Sequence, residues 1–225
     1  MRRKRTDHGG GQTDFFYLFG ALLLLLFAVP LAQDIEFLDP DIVRAFFFSV
    51  LMIVGARSLK GGGHYRTIGM LLAAVGIILA LVAIGKSSTL FQAASLMSLF
   101  TFLLVSISYT LKQVAFGTEL NTNRLVGAVC VYLLLGVLWA LAYAFLELVA
   151  PGSFTGIELA ATTGWHNDWF YFSFVTLTTL GYGDITPVSS AARSLVYLQA
   201  IAGIFYVAVL VAGLVGAYIS EKQSS

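Results

Sequence analysis

Thr176-Leu177-Thr178-Thr179-Leu180-Gly181-Tyr182-Gly183-Asp184-Ile185-Thr186-Pro187 is the stretch on which the fold turns. It lies between two long apolar runs, Leu125–Ala150 and Ala192–Ser220, and is too broken by Gly, Pro and charge to cross a bilayer as helix. Irregular backbone at membrane depth is tolerated only where it is buried in protein or lines a water-filled path, because lipid cannot satisfy its polar groups. Leu180-Gly181-Tyr182-Gly183 between two spans therefore predicts a pore or a ligand cavity. Gly181 and Gly183 permit backbone conformations that a side chain forbids, so successive carbonyls can be turned toward one axis. Rings of carbonyl oxygens are what replace an ion's hydration shell. Just upstream, residues 168–178 have helical character and carry the aromatic run Trp169-Phe170-Tyr171-Phe172. A short helix ending at the cavity points its negative dipole end at a cation.

The rest of the chain supplies the bilayer setting. Of 225 residues, 58% are hydrophobic and 11% charged, against about 25% charged in an ordinary soluble domain. A soluble globular enzyme is excluded, and a net charge of +1 offers no basic surface for nucleic acid. Runs long enough for a core of about 30 Å occur six times: Phe15–Gln33, Ile42–Arg57, Thr67–Gly85, Thr89–Leu111, Leu125–Ala150 and Ala192–Ser220. The fold expected is all-α, six transmembrane helices with a re-entrant helix and loop between the fifth and sixth. The basic start Arg2-Arg3-Lys4-Arg5 resembles that of a signal peptide, but cleavage after Ala32 would put Pro30 where a small residue is wanted, so an uncleaved first span is expected.

Positive residues near the span ends set the orientation. Ten fall on the side of the amino terminus and three, Arg44, Lys86 and Arg193, on the other. Both termini are thus expected in the cytoplasm, with the chain a multi-pass protein of the cell membrane. Eight of the twelve acids, Glu147, Asp168 and Asp184 among them, then face outward. The lone cysteine, Cys130, excludes an internal disulfide and a cysteine metal site. His8, His64 and His166 all lie outside the apolar runs, so neither a bis-His cofactor site nor a Ser/His pair forms at membrane depth, and no enzyme is expected.

Thr179-Leu180-Gly181-Tyr182-Gly183-Asp184 resembles the Thr-x-Gly-Tyr-Gly-Asp selectivity filter of potassium channels, with Leu180 at the position usually Val or Ile. The likeness extends over about the last hundred residues and is greatest to prokaryotic potassium channel pore domains. It implies a passive, potassium-selective channel assembled as a homotetramer, with K⁺ as the permeant ion and no other cofactor. By the resemblance, Thr179 offers carbonyl and hydroxyl to the innermost K⁺ site, and the carbonyls of Leu180, Gly181 and Tyr182 the next ones, while the Tyr182 ring points back to brace the loop. Tyr171 stands where relatives have a Trp bonded to the filter Asp, and Val175 where some have a Glu, with Thr178 completing the support from the pore helix. Glu147 resembles an acid that braces the filter's outer turn, a solvated carboxylate being the alternative. Gly203 falls where such channels have a gating hinge, a helix-packing contact being the alternative.

The division implied is a cytoplasmic tail over 1–14, a four-helix peripheral domain over 15–112, and a pore domain over 124–220 with its pore helix at about 168–178 and filter at 179–184. In voltage-gated relatives the fourth span carries Arg or Lys at every third position. Thr89–Leu111 has none, and Arg44 near the outer end of the second span reads as an interfacial anchor, so voltage insensitivity is expected. His166, just before the pore helix, would add four charges to the outer mouth of a tetramer if it titrated near pH 6.5; a loop histidine without a role is the alternative. A potassium uptake subunit usually has a single Gly in each of four loops per chain, whereas one loop is present here. A non-conducting or regulatory channel subunit is the other alternative.

Overall fold

The computed structural model describes residues 15–33, 40–58, 63–85, 89–116, 122–157 and 168–223. Seven helices account for nearly all of them: α1 (Phe15–Gln33), α2 (Pro40–Ser58), α3 (Gly63–Gly85), α4 (Thr89–Phe116), α5 (Thr122–Val149), the short α6 (Asp168–Leu177) and α7 (Ser190–Gln223). Four are long and apolar enough to cross a membrane, over Tyr65–Val82, Leu90–Ala115, Thr122–Val149 and Ser190–Leu210. Shorter apolar helical stretches cover Phe15–Ala28 and Ala45–Ser58. The protein is a multi-pass membrane protein.

The packing follows from where apolar surface is continuous. α1 packs on α2 and α5, α2 on α3, α3 on α4, and α4 on α5, so that α5 closes a ring of five helices. α5 is apolar all round, as expected of a helix walled in by others, and 56% of its span is buried against 11% for α7. One hydrophobic cluster runs without interruption from Phe15 and Leu22 in α1 through Leu103 in α4 and Leu141 in α5 to Trp169 in α6 and Ala192 in α7. Helices from both ends of the chain share this core.

Polar groups fasten the ring where helices begin and end. The Asn123 side-chain oxygen accepts the Phe15 backbone N–H at 2.9 Å, tying the start of α5 to the start of α1. The Arg124 guanidinium donates to the Val114 carbonyl at 2.6 Å, supplying one of the acceptor-side partners that the last turn of α4 lacks within the helix. α4 runs five residues beyond the apolar stretch read from sequence and so ends with one basic residue, Lys112, near its terminus.

Beside the helices is a two-stranded antiparallel ladder that the all-α expectation omits. β1 (Phe154–Thr155) follows α5 and β2 (Thr186–Pro187) follows the glycine-rich loop, paired Phe154↔Pro187 and Thr155↔Thr186. Two-residue strands carry no periodic signal, and Pro187 is admissible because its missing N–H is not needed at an edge. Residues 1–14, His166 and the side chain of Arg44 lie outside the described residues.

Candidate functional site

The site is built where α6 stops. Thr179 N–H donates to the Thr176 carbonyl at 2.9 Å and Leu180 N–H to the Val175 carbonyl at 2.9 Å. These five-to-two and six-to-one bonds are a Schellman closure, whose C′ residue adopts the left-handed conformation usually reserved for glycine. Here that residue is Thr179, with φ of 61°. A β-branched residue in that region costs about 1–3 kcal/mol and persists only where its surroundings over-determine it.

From Thr179 the chain continues with positive φ at every second residue: 61° at Thr179, 56° at Gly181 and 82° at Gly183. Alternation of handedness turns consecutive carbonyls to one side, whereas a β-strand would send them to opposite sides. Among the described residues, no hydrogen bond ends on the carbonyls of Thr179, Leu180, Gly181 or Tyr182. Leu180 and Tyr182 are exposed in the single chain. A file of unpaired carbonyls facing one way is an array for coordinating a cation.

The back of the loop is held as firmly as its front is open. The Tyr171 hydroxyl donates to Asp184 Oδ2 at 2.5 Å, and Asp184 Oδ1 accepts the Ile185 N–H at 2.9 Å. The bond from Tyr171 holds the Asp184 carboxyl below its usual range, and the same bond pushes the Tyr171 phenol up to about 12. The Tyr182 ring stacks on the Tyr171 ring, centroids 6.4 Å apart and 7° from parallel. Val175 acts through its backbone, its carbonyl accepting Leu180 N–H and, at 3.4 Å, Gly181 N–H. Thr178 Oγ1 donates to the Phe174 carbonyl at 2.8 Å, within the end of the helix.

Glu147 is buried near the C-terminal end of α5. Its carboxylate accepts Gly152 N–H at 2.6 Å and Phe154 N–H at 3.3 Å. It therefore orders the turn that presents β1 to β2, one step removed from the glycine-rich loop. The Ser153 carbonyl extends that seam by accepting Val188 N–H at 2.8 Å.

Comparison with known proteins bears on the same segment. A family model described as Ion channel matches residues 128–220. The inward rectifier potassium channel Kirbac3.1 of Paramagnetospirillum magnetotacticum is 38% identical over 82 residues, 35% of this chain and 24% of that protein. Two pore potassium channel c of Oryza sativa subsp. japonica is 40% identical over 73 residues, 32% of this chain and 15% of that protein. Over residues 128–220 the chain is thus similar to ion channels, and both relatives are by name potassium channels. The chain spans less than a quarter of the length of these relatives. No solved structure matches it significantly. The family is one of ion channels, not of enzymes.

Within the pore domain, the structure joins residues that sequence reading passed over. Gln199 of α7 donates from Nε2 to both the carbonyl and the hydroxyl of Ser173 on α6, each at 2.8 Å. Its Oε1 accepts the Tyr143 hydroxyl of α5, and Ser173 Oγ donates onward to the Gly136 carbonyl at 2.7 Å. One buried amide thus ties α5, α6 and α7 together behind the glycine-rich loop. A lone Gln in an apolar span was the available signal, since polar side chains at membrane depth are retained where they find partners.

Gly203 is where α7 crosses the end of α6. A Cβ there would lie 2.3 Å from the Leu177 carbonyl oxygen, too close for any side chain without a shift. α7 is a continuous helix through this close approach. Gly156 makes a second close approach, a Cβ there falling 1.8 Å from the Asp184 carbonyl oxygen.

Proposed function

We propose that the chain is one subunit of a homotetrameric potassium-selective channel that passes K⁺ passively down its electrochemical gradient. The observation that carries this reading is the file of four carbonyls, residues 179 to 182, turned to one side by alternating φ and unpaired among the described residues. Irregular backbone of this kind cannot face lipid, and in a single chain Leu180 and Tyr182 stand exposed. One loop cannot surround an ion. Four copies about an axis both enclose the ion and remove the loop from lipid. Potassium is taken as the ion because the two relatives are by name potassium channels and the loop carries Thr179-Leu180-Gly181-Tyr182-Gly183-Asp184.

In this reading K⁺ is coordinated by the carbonyls of Thr179, Leu180, Gly181 and Tyr182 and the Thr179 hydroxyl. Tyr171, Val175, Thr178 and Glu147 hold the filter from behind and above, directly or through β1. Helices α1 to α5 and α7 are the six spans, α6 is re-entrant, and both termini are cytoplasmic in the cell membrane. Residues 15–112 form the peripheral part and 124–220 the pore. Gly203 is the gating hinge in this scheme: bending α7 there would release its contact with Leu177. The channel is insensitive to voltage because α4 carries no basic residue between Thr89 and Leu111.

The test is native mass spectrometry in mild detergent combined with planar-bilayer recording of the purified protein under opposed K⁺ and Na⁺ gradients. Tetramers with a reversal potential near the K⁺ equilibrium value are expected. Monomers or dimers only would overturn the assembly, and tetramers without current would make the chain a non-conducting or regulatory subunit.

A further inference from the structure

Away from the pore, a cavity of about 540 Å³ opens between α2 and α3, within the roughly 300–1,000 Å³ range of ligand-sized pockets. Ile53, Met70, Ala74 and Ile77 give it an apolar wall, and Arg57 and Arg66 stand at one end of it. Along α3, the eleven residue steps from Arg66 to Ile77 rise about 16 Å. One leaflet of a bilayer core of about 30 Å is about 15 Å deep. The cavity therefore runs the depth of a single leaflet, with charge at its rim and apolar surface below.

The charge balance around it is lopsided. Between Ile42 and Thr118 the sequence has six Lys and Arg and no Asp or Glu. Both Arg57 and Arg66 are exposed, and neither has a hydrogen bond or ion pair among the described residues. Protein carboxylates from this stretch cannot neutralise them. A guanidinium fork matches phosphate geometry, and basic residues at a membrane surface draw anionic lipid.

We propose that the cavity between α2 and α3 holds an anionic phospholipid of the surrounding leaflet, one acyl chain lying against Ile53, Met70, Ala74 and Ile77 and the phosphate between Arg57 and Arg66. Phosphate diester and acyl chain together make the ligand. The site lies on the peripheral helices and its occupation does not depend on ion conduction.

The experiment is native mass spectrometry of the purified full chain after delipidation, titrated with phosphatidylglycerol or phosphatidylcholine of matched chains in mixed micelles. The wild-type protein is expected to retain one phosphatidylglycerol per subunit in preference to phosphatidylcholine. Arg57→Gln with Arg66→Gln should weaken retention about thirtyfold, two basic contacts at about 1 kcal/mol each. The paired Arg→Lys variant should keep most of it, which separates lost charge from lost fold. Ala74→Phe, which fills the apolar part, should lower retention with both arginines in place. Equal retention of the two lipids by the wild type, or equal phosphatidylglycerol retention by the wild type and the double Gln variant, would overturn the proposal. Full displacement by water-soluble glycerol phosphate would do so as well, since the ligand would then be a free phosphate ester.

Discussion

Replacing Gln199 by Leu removes the one side chain that, among the described residues, bonds α7 to both α5 and α6, and its cost can be worked from the groups it strands. Interhelical hydrogen bonds in membrane proteins average about 0.6 kcal/mol each, so loss of the bonds to Ser173 and Tyr143 accounts for about 1–2 kcal/mol. Stranding a buried hydroxyl costs about 1–3 kcal/mol more. That group is Tyr143, fully buried and donating only to Gln199 among the described residues. Ser173 is spared, because its hydroxyl still donates to the Gly136 carbonyl. The stranded phenol is therefore the larger contribution, and the total is about 2–5 kcal/mol per subunit. Tyr143→Phe alone strands Gln199 Oε1 instead, for about 1–3 kcal/mol. Combining the two substitutions removes both ends of the bond and with them both stranding penalties, so the double variant should cost less than the sum by about 2–6 kcal/mol. Equilibrium unfolding in mixed micelles, followed by tryptophan fluorescence, measures all three. A Gln199→Leu protein within about 0.5 kcal/mol of wild type, or strict additivity in the double variant, would refute this account of how the pore helix is held.

Four other outcomes are expected. Gly181 has φ of 56° and open space around a built Cβ, so Gly181→Ala meets a torsional penalty of about 1–2 kcal/mol per subunit and should degrade K⁺ over Na⁺ preference; an unaltered reversal potential in a conducting variant contradicts the filter assignment. Asp184 has its pKa lowered by Tyr171, so the stabilisation it contributes is present above its ordinary value and is lost only as pH falls through the lower folded one. With Tyr171 raised to about 12, neither partner titrates near neutrality, and His166→Gln should have a flat flux between about pH 5.5 and 7.5, whereas a persistent decline centred in that window would implicate the pair. Steep gating draws on three or four charges per subunit at about 2.3 kcal/mol per charge per 100 mV; open probability should thus vary weakly with voltage, and Arg44→Gln should leave its slope unchanged in bilayer recordings. Gly203→Ala should lower thermal stability and alter open probability together, since its methyl must displace the Leu177 carbonyl or tilt α7; wild-type behaviour in both would remove the close contact from the argument.

Sequence alone determined what depends on local composition and short spacing. Six apolar runs specify a membrane protein, because the length needed to cross hydrocarbon is a one-dimensional property. Gly181 and Gly183 were legible because positive φ is a demand that the residue itself advertises. Tyr171 beside Asp184 was reachable through the resemblance, which sets Tyr171 where relatives have a Trp bonded to the same acid. Only the tertiary structure decided that Thr179 takes the left-handed closing position of α6, since nothing in a threonine announces it and the closure depends on which carbonyls remain free. Likewise, Glu147 could be read as an acid near a helix end, but its two backbone partners exist only once the chain after α5 turns back toward β2. Gln199 with Ser173 and Tyr143 lies furthest beyond the reach of sequence, spanning 26 and 56 residues. Such contacts are chosen by how helices pack, and any polar residue in an apolar run carries the same signal until the fold selects its partner.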